Sequence, residues 1–480
     1  MTAGLDHPVE VGVPATGLAT ASVGDLLDEA PPSRFHRRAV VISGMGFFTD
    51  AYDLFVIGTV SALVTTQWHL STSQTSWVSG SAILAAFLGA FVFGRIADIL
   101  GRKKVYALVA AIMIVGALAS AVAPSFIWLV VARFILGLGI GGDYPVSAVL
   151  MSEYANRNDR GRLVGLVFSM QALGLIVGPL VGLTLLSSGL SHAVTWRLML
   201  GLGAVPAAAV VYLRARMPES PRFQAQVLGE SQEAARQLAL FSEGVVDGPV
   251  SVEGKGRLKL GQFLTDPRML LLLLGTAGTW FLFDYAYYGN TISLPLILKQ
   301  IAPHAALTTK LAWTLGIFCI FAVPGYLCAV LFMDRIGHRR LQLIGFAVMT
   351  VAFATLAAFA HLTTEVAPFL AIFGVSYFFV EFGPNTTTFV LPSEVFPVSM
   401  RTTGHGIAAG IGKLGAFVGV FLVPQLQKGI GLRGMFLVAG GAALAGMALS
   451  LVLPEPARQS LDSLQEAPRR PIPVPVGSAP

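Results

Sequence analysis

Two carboxylates stand in a run of sequence that offers them no water. The stretch GMGFFTDAYDLFVIG, residues 44–58, holds Asp50 and Asp53, and Arg133, Asp143, Asp284, Glu381 and Lys413 lie in similarly apolar runs. A charge at the middle of a bilayer-spanning helix is unfavourable by about 2.5–3.5 kcal/mol, so such side chains face a bundle interior and mark ion, proton or substrate routes. Loss of water disfavours an ionised carboxylate, which makes a buried acid a group that takes up a proton and returns it. Neutral Tyr, Gln, Trp and Asn beside such acids hold an oxyanion without the deep trap that several arginines would make.

Three segments gather these types. In GLGIGGDYPVSAVLMSEYANRNDRGR, residues 137–162, Pro145 cannot bond the Gly141 carbonyl and loosens the helix at Asp143 and Tyr144. Asp143 either lies on a proton route or pairs permanently with Arg133 or Lys413. In GTWFLFDYAYYGN, residues 278–290, Trp280, Asp284 and Tyr288 fall at i, i+4 and i+8 on one helix face, with Tyr287 and Asn290 further round. In residues 378–413, Pro384 breaks the helix, Asn385 follows, and Lys413 closes the run. His405 reads as a satisfied interfacial histidine more than as a proton carrier. Asp50 and Asp53, at i and i+3, are two proton carriers, or one carrier and one helix-pairing partner, with Asp50 the carrier.

The elements that must position these residues follow from composition. Apolar residues make up 54% of the 480 and charged ones 12%, with mean hydropathy +0.71. Twelve apolar stretches, each long enough to cross about 30 Å of hydrocarbon, begin near Ala39, Thr75, Val105, Phe126, Leu163, Thr195, Met269, Leu311, Leu341, Pro368, Thr403 and Leu432. The fold class is therefore all-α and polytopic. With both termini cytoplasmic, 25 Lys and Arg fall on that side against 5 on the other, which is the positive-inside arrangement. The pI of about 9.4 then reflects membrane anchoring rather than nucleic-acid binding. The expected organisation is a disordered tail over 1–37, six helices over 38–214, a cytoplasmic loop over 215–267, six more over 268–454 and a disordered tail over 455–480. The first span directs insertion, since no cationic start and short apolar region mark a cleavable signal. Cys319 and Cys328 are nine residues apart on opposite faces of one helix, so no disulfide joins them. No pattern suggests a metal, a cofactor or an enzyme active site.

The two halves echo each other. GRIADILGRKKV between spans two and three matches LFMDRIGHRRLQ between spans eight and nine, with Asp98 and Asp334 each three residues before a glycine. Glu153 and Arg160 after span four match Glu394 and Arg401 after span ten at the same separation of seven. Duplicated units of this kind place a binding site between the halves near mid-membrane. The D-x-x-G-R-K-K loop, PESPR at 218–222 and the six-plus-six layout resemble the major facilitator superfamily over nearly the whole chain. Asp98 reads as a helix-end clamp, accepting backbone N–H groups or an arginine, while Arg102 and its neighbours are gating residues or topology anchors. Asp53, Arg133, Glu153, Arg160, Asp334, Glu394 and Arg401 complete the gating and structural set.

GGDYPVSAVLMSEYAN, from residue 142, resembles the hallmark of the phosphate:proton symporter branch of that superfamily. The resemblance implies a phosphate site of Tyr144, Gln171, Trp280, Asp284, Tyr288 and Asn385, with Lys413 supplying positive charge and Asp50 and Asp143 on the proton route. It implies import of phosphate or a related small anion with protons, by alternating access, in the plasma membrane. A dianion entering against an inside-negative potential is opposed by about 2.3 kcal/mol per charge per 100 mV, so at least three protons make its import electrically favourable, or two for the monoanion. Asp284 beside an anion makes sense only when protonated. Two other readings stand beside this one. PESPR and E-V-F-P-x-x-x-R-x-x-G also resemble carriers of sugars and organic or aromatic acids, and a non-transporting nutrient sensor is the third.

Overall fold

Serine or aspartate caps five of the membrane helices. Ser33, Ser71, Ser125 and Ser191 each cap an apolar helix through the side-chain oxygen, and Asp266 does so immediately before Pro267. Each cap satisfies an amide that the first helical turn leaves open. The computed structural model describes residues 22–242 and 258–462. The first half contains α1 (Arg34–Trp68), α2 (Thr72–Leu100), α3 (Arg102–Ala121), α4 (Phe126–Tyr154), α5 (Arg160–Ser187) and α6 (His192–Ala215). The second begins with α7 (Pro267–Ile292), α8 (Leu307–Ile336), α9 (His338–Ala358) and α10 (Val366–Val395).

The final helix, Arg401–Ser450, is 50 residues long and bends at Gly431, where φ is 72° and ψ 173°. At about 1.5 Å per residue an unbent helix of that length would overshoot a bilayer more than twofold. The bend resolves it into two spans, α11 (401–430) and α12 (432–450), which brings the set to twelve.

The halves meet along two seams, α2 against α11 and α5 against α8. These are the second and fifth helices of each half, so the seams are related by the internal duplication. Within the first half, α4 lies backbone to backbone on α2: a Cβ on Gly137 or Gly141 would stand 2.0 Å from the carbonyl oxygen of Ala82 or Ala86. Small residues at such crossings let membrane helices approach closely.

Residues 22–37, expected within a disordered tail, instead form a helix, Val23–Glu29, with Val23 and Leu27 buried, followed by the start of α1. Residues 1–21 lie outside the described part. Among the described residues, three short α-helices occupy the expected loop, Pro221–Phe223, Ser231–Phe241 and Leu260–Thr265, with a π-helical turn over Gln224–Leu228. At the other end, residues 455–462 pack back on the bundle, and 463–480 lie outside the description. Arg222 joins these pieces: it reaches Asp28 at 2.6 Å and Asp462 at 3.2 Å.

A further repeat binds the same face. Gly101 and Gly337, with φ of 97° and 104°, precede α3 and α9. Glu219 of PESPR accepts from the Arg102 and Lys103 amides at 3.2 Å each, and burial pushes its carboxyl above the usual range. Glu455 of PEPAR, residues 454–458, accepts from the His338 and Arg339 amides at 2.8 and 3.1 Å. A carboxylate at a helix N-terminus both caps it and complements its dipole.

Candidate functional site

The buried polar residues of the two halves converge where the seams cross the bundle axis. From the first half, Tyr144 on α4 donates to Asp50 Oδ2 on α1 at 2.5 Å, and Gln171 on α5 donates to Asp50 Oδ2 at 3.2 Å and to the Tyr144 hydroxyl at 3.0 Å. From the second, Lys413 on α11 donates to Asp284 at 3.2 Å and to Tyr288 at 3.0 Å, both on α7. The lysine also joins the halves, its ammonium lying 4.5 Å from the centre of the Tyr144 ring and 4.3 Å from that of Tyr288. Such a cation over an aromatic face gains about 2 kcal/mol when desolvated. Trp280 packs 6.0 Å from the Tyr144 ring.

A second strand of bonds crosses the same interface. Tyr326 on α8 donates to Gln171 Oε1 at 3.1 Å, and Asn385 on α10 donates to the Tyr326 hydroxyl at 2.8 Å. Residues Glu381–Asn385 form a wide π-helical turn, with Gly383 off helical angles at φ −115° and ψ −107°. Pro384 therefore widens the helix rather than ending it. The turn sets the Asn385 amide on the Glu381 carboxyl, which also accepts from Tyr287 at 3.0 Å.

The sequence reading thus brought together Asp50, Tyr144, Gln171, Trp280, Asp284, Tyr288, Asn385 and Lys413. It left out Tyr326, named Tyr287 beside the α7 face without giving it a role, and noted Glu381 only as an ionisable residue in a span. The signal for the tyrosines was weak, since an aromatic residue in a membrane helix usually packs. The remaining acids sit elsewhere. Asp53 is held by Arg133 Nη1 at 2.6 Å, so the two aspartates of α1 divide between a helix pair and the central cluster. Asp143 pairs with neither Arg133 nor Lys413. Arg214, at the end of the sixth apolar run, is buried on α6 and contacts both Asp143 oxygens, at 2.6 and 3.0 Å. His405 is fully buried, with Nε2 3.0 Å from the Phe389 carbonyl.

The face where the described chain begins and ends is shut by two equivalent clamps. At the end of α2, Asp98 accepts from the Thr403 amide at 2.6 Å and hydroxyl at 2.7 Å across the seam, and pairs with Arg102 at 3.0 Å. Glu153 lies between Arg102 and Arg401, at 3.3 and 3.2 Å. At the end of α8, Asp334 accepts from the Arg162 amide at 2.7 Å, and Glu394 lies between Arg160 and His338, at 3.0 Å from each.

The opposite face is open. A cavity of about 730 Å³ enters between the halves there, lined by α1, α2, α7, α8 and α11 residues, including Ser61, Thr65, Ser293 and Val420. Lys299, Lys310 and Lys428 also line it, and among the described residues no acidic side chain does. Between cavity and central cluster, the Phe55 ring stacks on Tyr288 with centroids 6.0 Å apart.

A polar site between two six-helix halves, closed toward one face and approached from the other, defines a membrane transporter of the major facilitator architecture working by alternating access. The chain belongs to the sugar (and other) transporter family, whose sequence model matches residues 39–467. It is 35% identical over 495 residues to a probable inorganic phosphate transporter 1-6 of Arabidopsis thaliana, covering 92% of this chain and 96% of that one. It is 36% identical over 465 residues to low affinity inorganic phosphate transporter 4 of Petunia hybrida, covering 84% and 85%. Among solved structures, the proton:xylose symporter XylE bound to 6-bromo-6-deoxy-D-glucose is similar at a TM-score of 0.75 and 19% identity, over 91% of this chain and all of that one. The human organic anion transporter MFSD10 is similar at 0.63 and 15%.

Proposed function

We propose that this protein imports inorganic phosphate, or a closely related small oxyanion, together with protons, across the plasma membrane with its termini in the cytoplasm. The observation that carries the reading is the Lys413–Asp284 pair in the central cluster. A neutral polyol needs no buried cation, whereas an anion does, and here an acid competes with the anion for the same ammonium. Asp284 Oδ1 and Asp50 Oδ1 have no hydrogen-bond partner. The names of the 35–36% identical relatives point to the same substrate.

The sequence of events follows from charge. When Asp284 is ionised it holds Lys413 and repels an anion through surroundings that screen poorly. Protonation from the open face neutralises Asp284 and frees the ammonium for a phosphate oxygen, while Tyr144, Tyr288, Gln171 and Asn385 offer neutral donors. Opening of the clamped face then lets proton and anion leave together. Asp143, bonded to Arg214, serves this scheme as a helix-pairing acid rather than a carrier.

Uptake of labelled phosphate into proteoliposomes of purified protein, with and without an imposed pH gradient, tests the reading directly. Stimulation by an inward proton gradient is expected. Uptake of labelled glucose or xylose in place of phosphate would establish the sugar alternative instead.

The three lysines of the vestibule give a second expectation. Clustered charge of one sign raises the local concentration of the opposite ion, and salt screens it over about 8–10 Å. Lys299→Gln with Lys428→Gln should raise the KM for phosphate about three- to tenfold at low ionic strength and change it little at 0.5 M salt. An equal effect at both salt levels would remove the electrostatic explanation.

A further inference from the structure

We propose that Glu381 is a further proton-binding site of the transport cycle, neutral in the conformation described and ionised when the clamped face opens. This inference rests on the proton-coupled reading above and extends it to a carboxyl that the reading did not use.

The argument starts from partners. Most acids within the spans have a cation in direct contact: Asp53 has Arg133, Asp143 has Arg214, Asp284 has Lys413, Asp98 and Glu153 have Arg102, and Glu394 has Arg160. Asp334, at the end of α8, has His338. Among the described residues, Glu381 and Asp50 have no cation in any hydrogen bond or ion pair. Glu381 is 0% exposed. The groups that face it are all neutral: Tyr287 from α7 and Asn385 one turn on along α10 donate to it, the Tyr326 hydroxyl of α8 lies beside it, and the Tyr377 hydroxyl is nearby and bonded to Thr291. An ionised carboxylate in that setting lacks the compensation that buried charges require.

The second observation is connectivity. Glu381 and Asp50 are the two ends of one hydrogen-bonded series, Glu381, Asn385, Tyr326, Gln171, Asp50, and its Tyr326–Gln171 bond crosses from one half of the molecule to the other. Each half therefore contributes to the site one acid with no cation bonded to it. The bond at 3.1 Å that joins them has to break when the halves separate at this seam. Water admitted there takes the proton: the carboxyl O–H bond breaks, the proton passes to that water, and the carboxylate is solvated. On return, water from the vestibule side supplies a proton to the same oxygen, and the Tyr326–Gln171 bond re-forms around a neutral group.

The test is the proton:phosphate ratio, read from the pH gradient at which net phosphate flux vanishes in proteoliposomes held at zero membrane potential. Glu381→Gln keeps an acceptor for Tyr287 and a neutral side chain of the same size. It is expected to transport with one proton fewer per anion, so its limiting accumulation falls about tenfold per unit of pH gradient relative to the parent. An unchanged ratio in a transporting variant overturns the assignment while leaving the coupled reading intact. A parent that moves phosphate without any response to the gradient overturns both. Infrared difference spectra on the parent between acid and alkaline pH supply a readout that needs no transport by the variant. A carboxylic-acid band that disappears on alkalinisation, is absent in Glu381→Gln and is shifted in Glu381→Asp supports the site. No titrating band attributable to Glu381 rejects it.

Discussion

Asp284→Asn is expected to bind phosphate and fail to concentrate it. The amide has the size of the protonated acid and cannot take the charge that holds Lys413 at 3.2 Å. In the parent, alkaline conditions ionise Asp284, return Lys413 to it and weaken anion binding, while acid conditions do the reverse. The variant is fixed in the binding form, so its affinity should exceed the parent's most at alkaline pH, by about tenfold for each 1.4 kcal/mol of lost competition. Accumulation depends on the opposite half of the cycle. With no carboxylate to recapture the ammonium and repel the anion after the proton leaves, release on the clamped side loses its drive, and the accumulation ratio should fall at least about tenfold below the parent's per unit of pH gradient. Calorimetric titration of purified protein from mildly acid to mildly alkaline pH, beside gradient-driven uptake, reads both effects. A variant whose binding varies with pH as the parent's does would reject the competition, and loss of binding at every pH would make Asp284 a direct acceptor for the substrate.

The pair at the centre of that prediction was legible in sequence as separate residues, and the reason marks where sequence reasoning stops. Asp284 and Lys413 are each conspicuous because a charge in an apolar run is expensive, and Trp280, Asp284 and Tyr288 could be set on one helix face by spacing alone. Which acid meets which cation depends on helix packing across gaps such as the 71 residues between Asp143 and Arg214 and the 248 between Glu153 and Arg401. Arg214 shows the difficulty. It ends an apolar run beside other basic residues, where it looks like an anchor, and only the depth of α6 in the bundle turns it toward Asp143. Arg102, Arg160 and Arg401, assigned from sequence to the gating and structural set at the helix ends, are fully buried. Tyr326 carried no signal and Tyr287 only a place on its helix, because their hydroxyl partners alone distinguish them from packing residues. PESPR was marked from the letters, while its echo in PEPAR was not. Its meaning, two glutamates capping two equivalent helix starts, needed the positions of Gly101 and Gly337.

The same duplication makes the strongest expectation about motion. Asp98 and Asp334 do equivalent work at the two seams, each accepting a backbone amide from the opposite half, at 2.6 and 2.7 Å. A hydrogen bond to a charged group contributes about 1.5–3 kcal/mol, and sites on separate seams act nearly additively. Asp98→Ala together with Asp334→Ala should therefore favour opening at the clamped face by about 3–6 kcal/mol, or roughly two to four powers of ten in the ratio of open to closed forms. Arg102 keeps Glu153 and His338 keeps Glu394, so neither change strands a buried cation. The central cluster is untouched, and phosphate binding to the purified protein serves as the check that the fold survives. Ser393 reports the opening, since it is fully buried and its carbonyl accepts from Ser152 of the other half at 3.0 Å. With Cys319 and Cys328 replaced by alanine, Ser393→Cys should react slowly with a charged maleimide in the otherwise native chain and at least a hundredfold faster in the double variant. Either single replacement should lie between. Equal rates in all four proteins, with binding preserved, would mean that the seams are held by packing and that the carboxylates only anchor the helix ends.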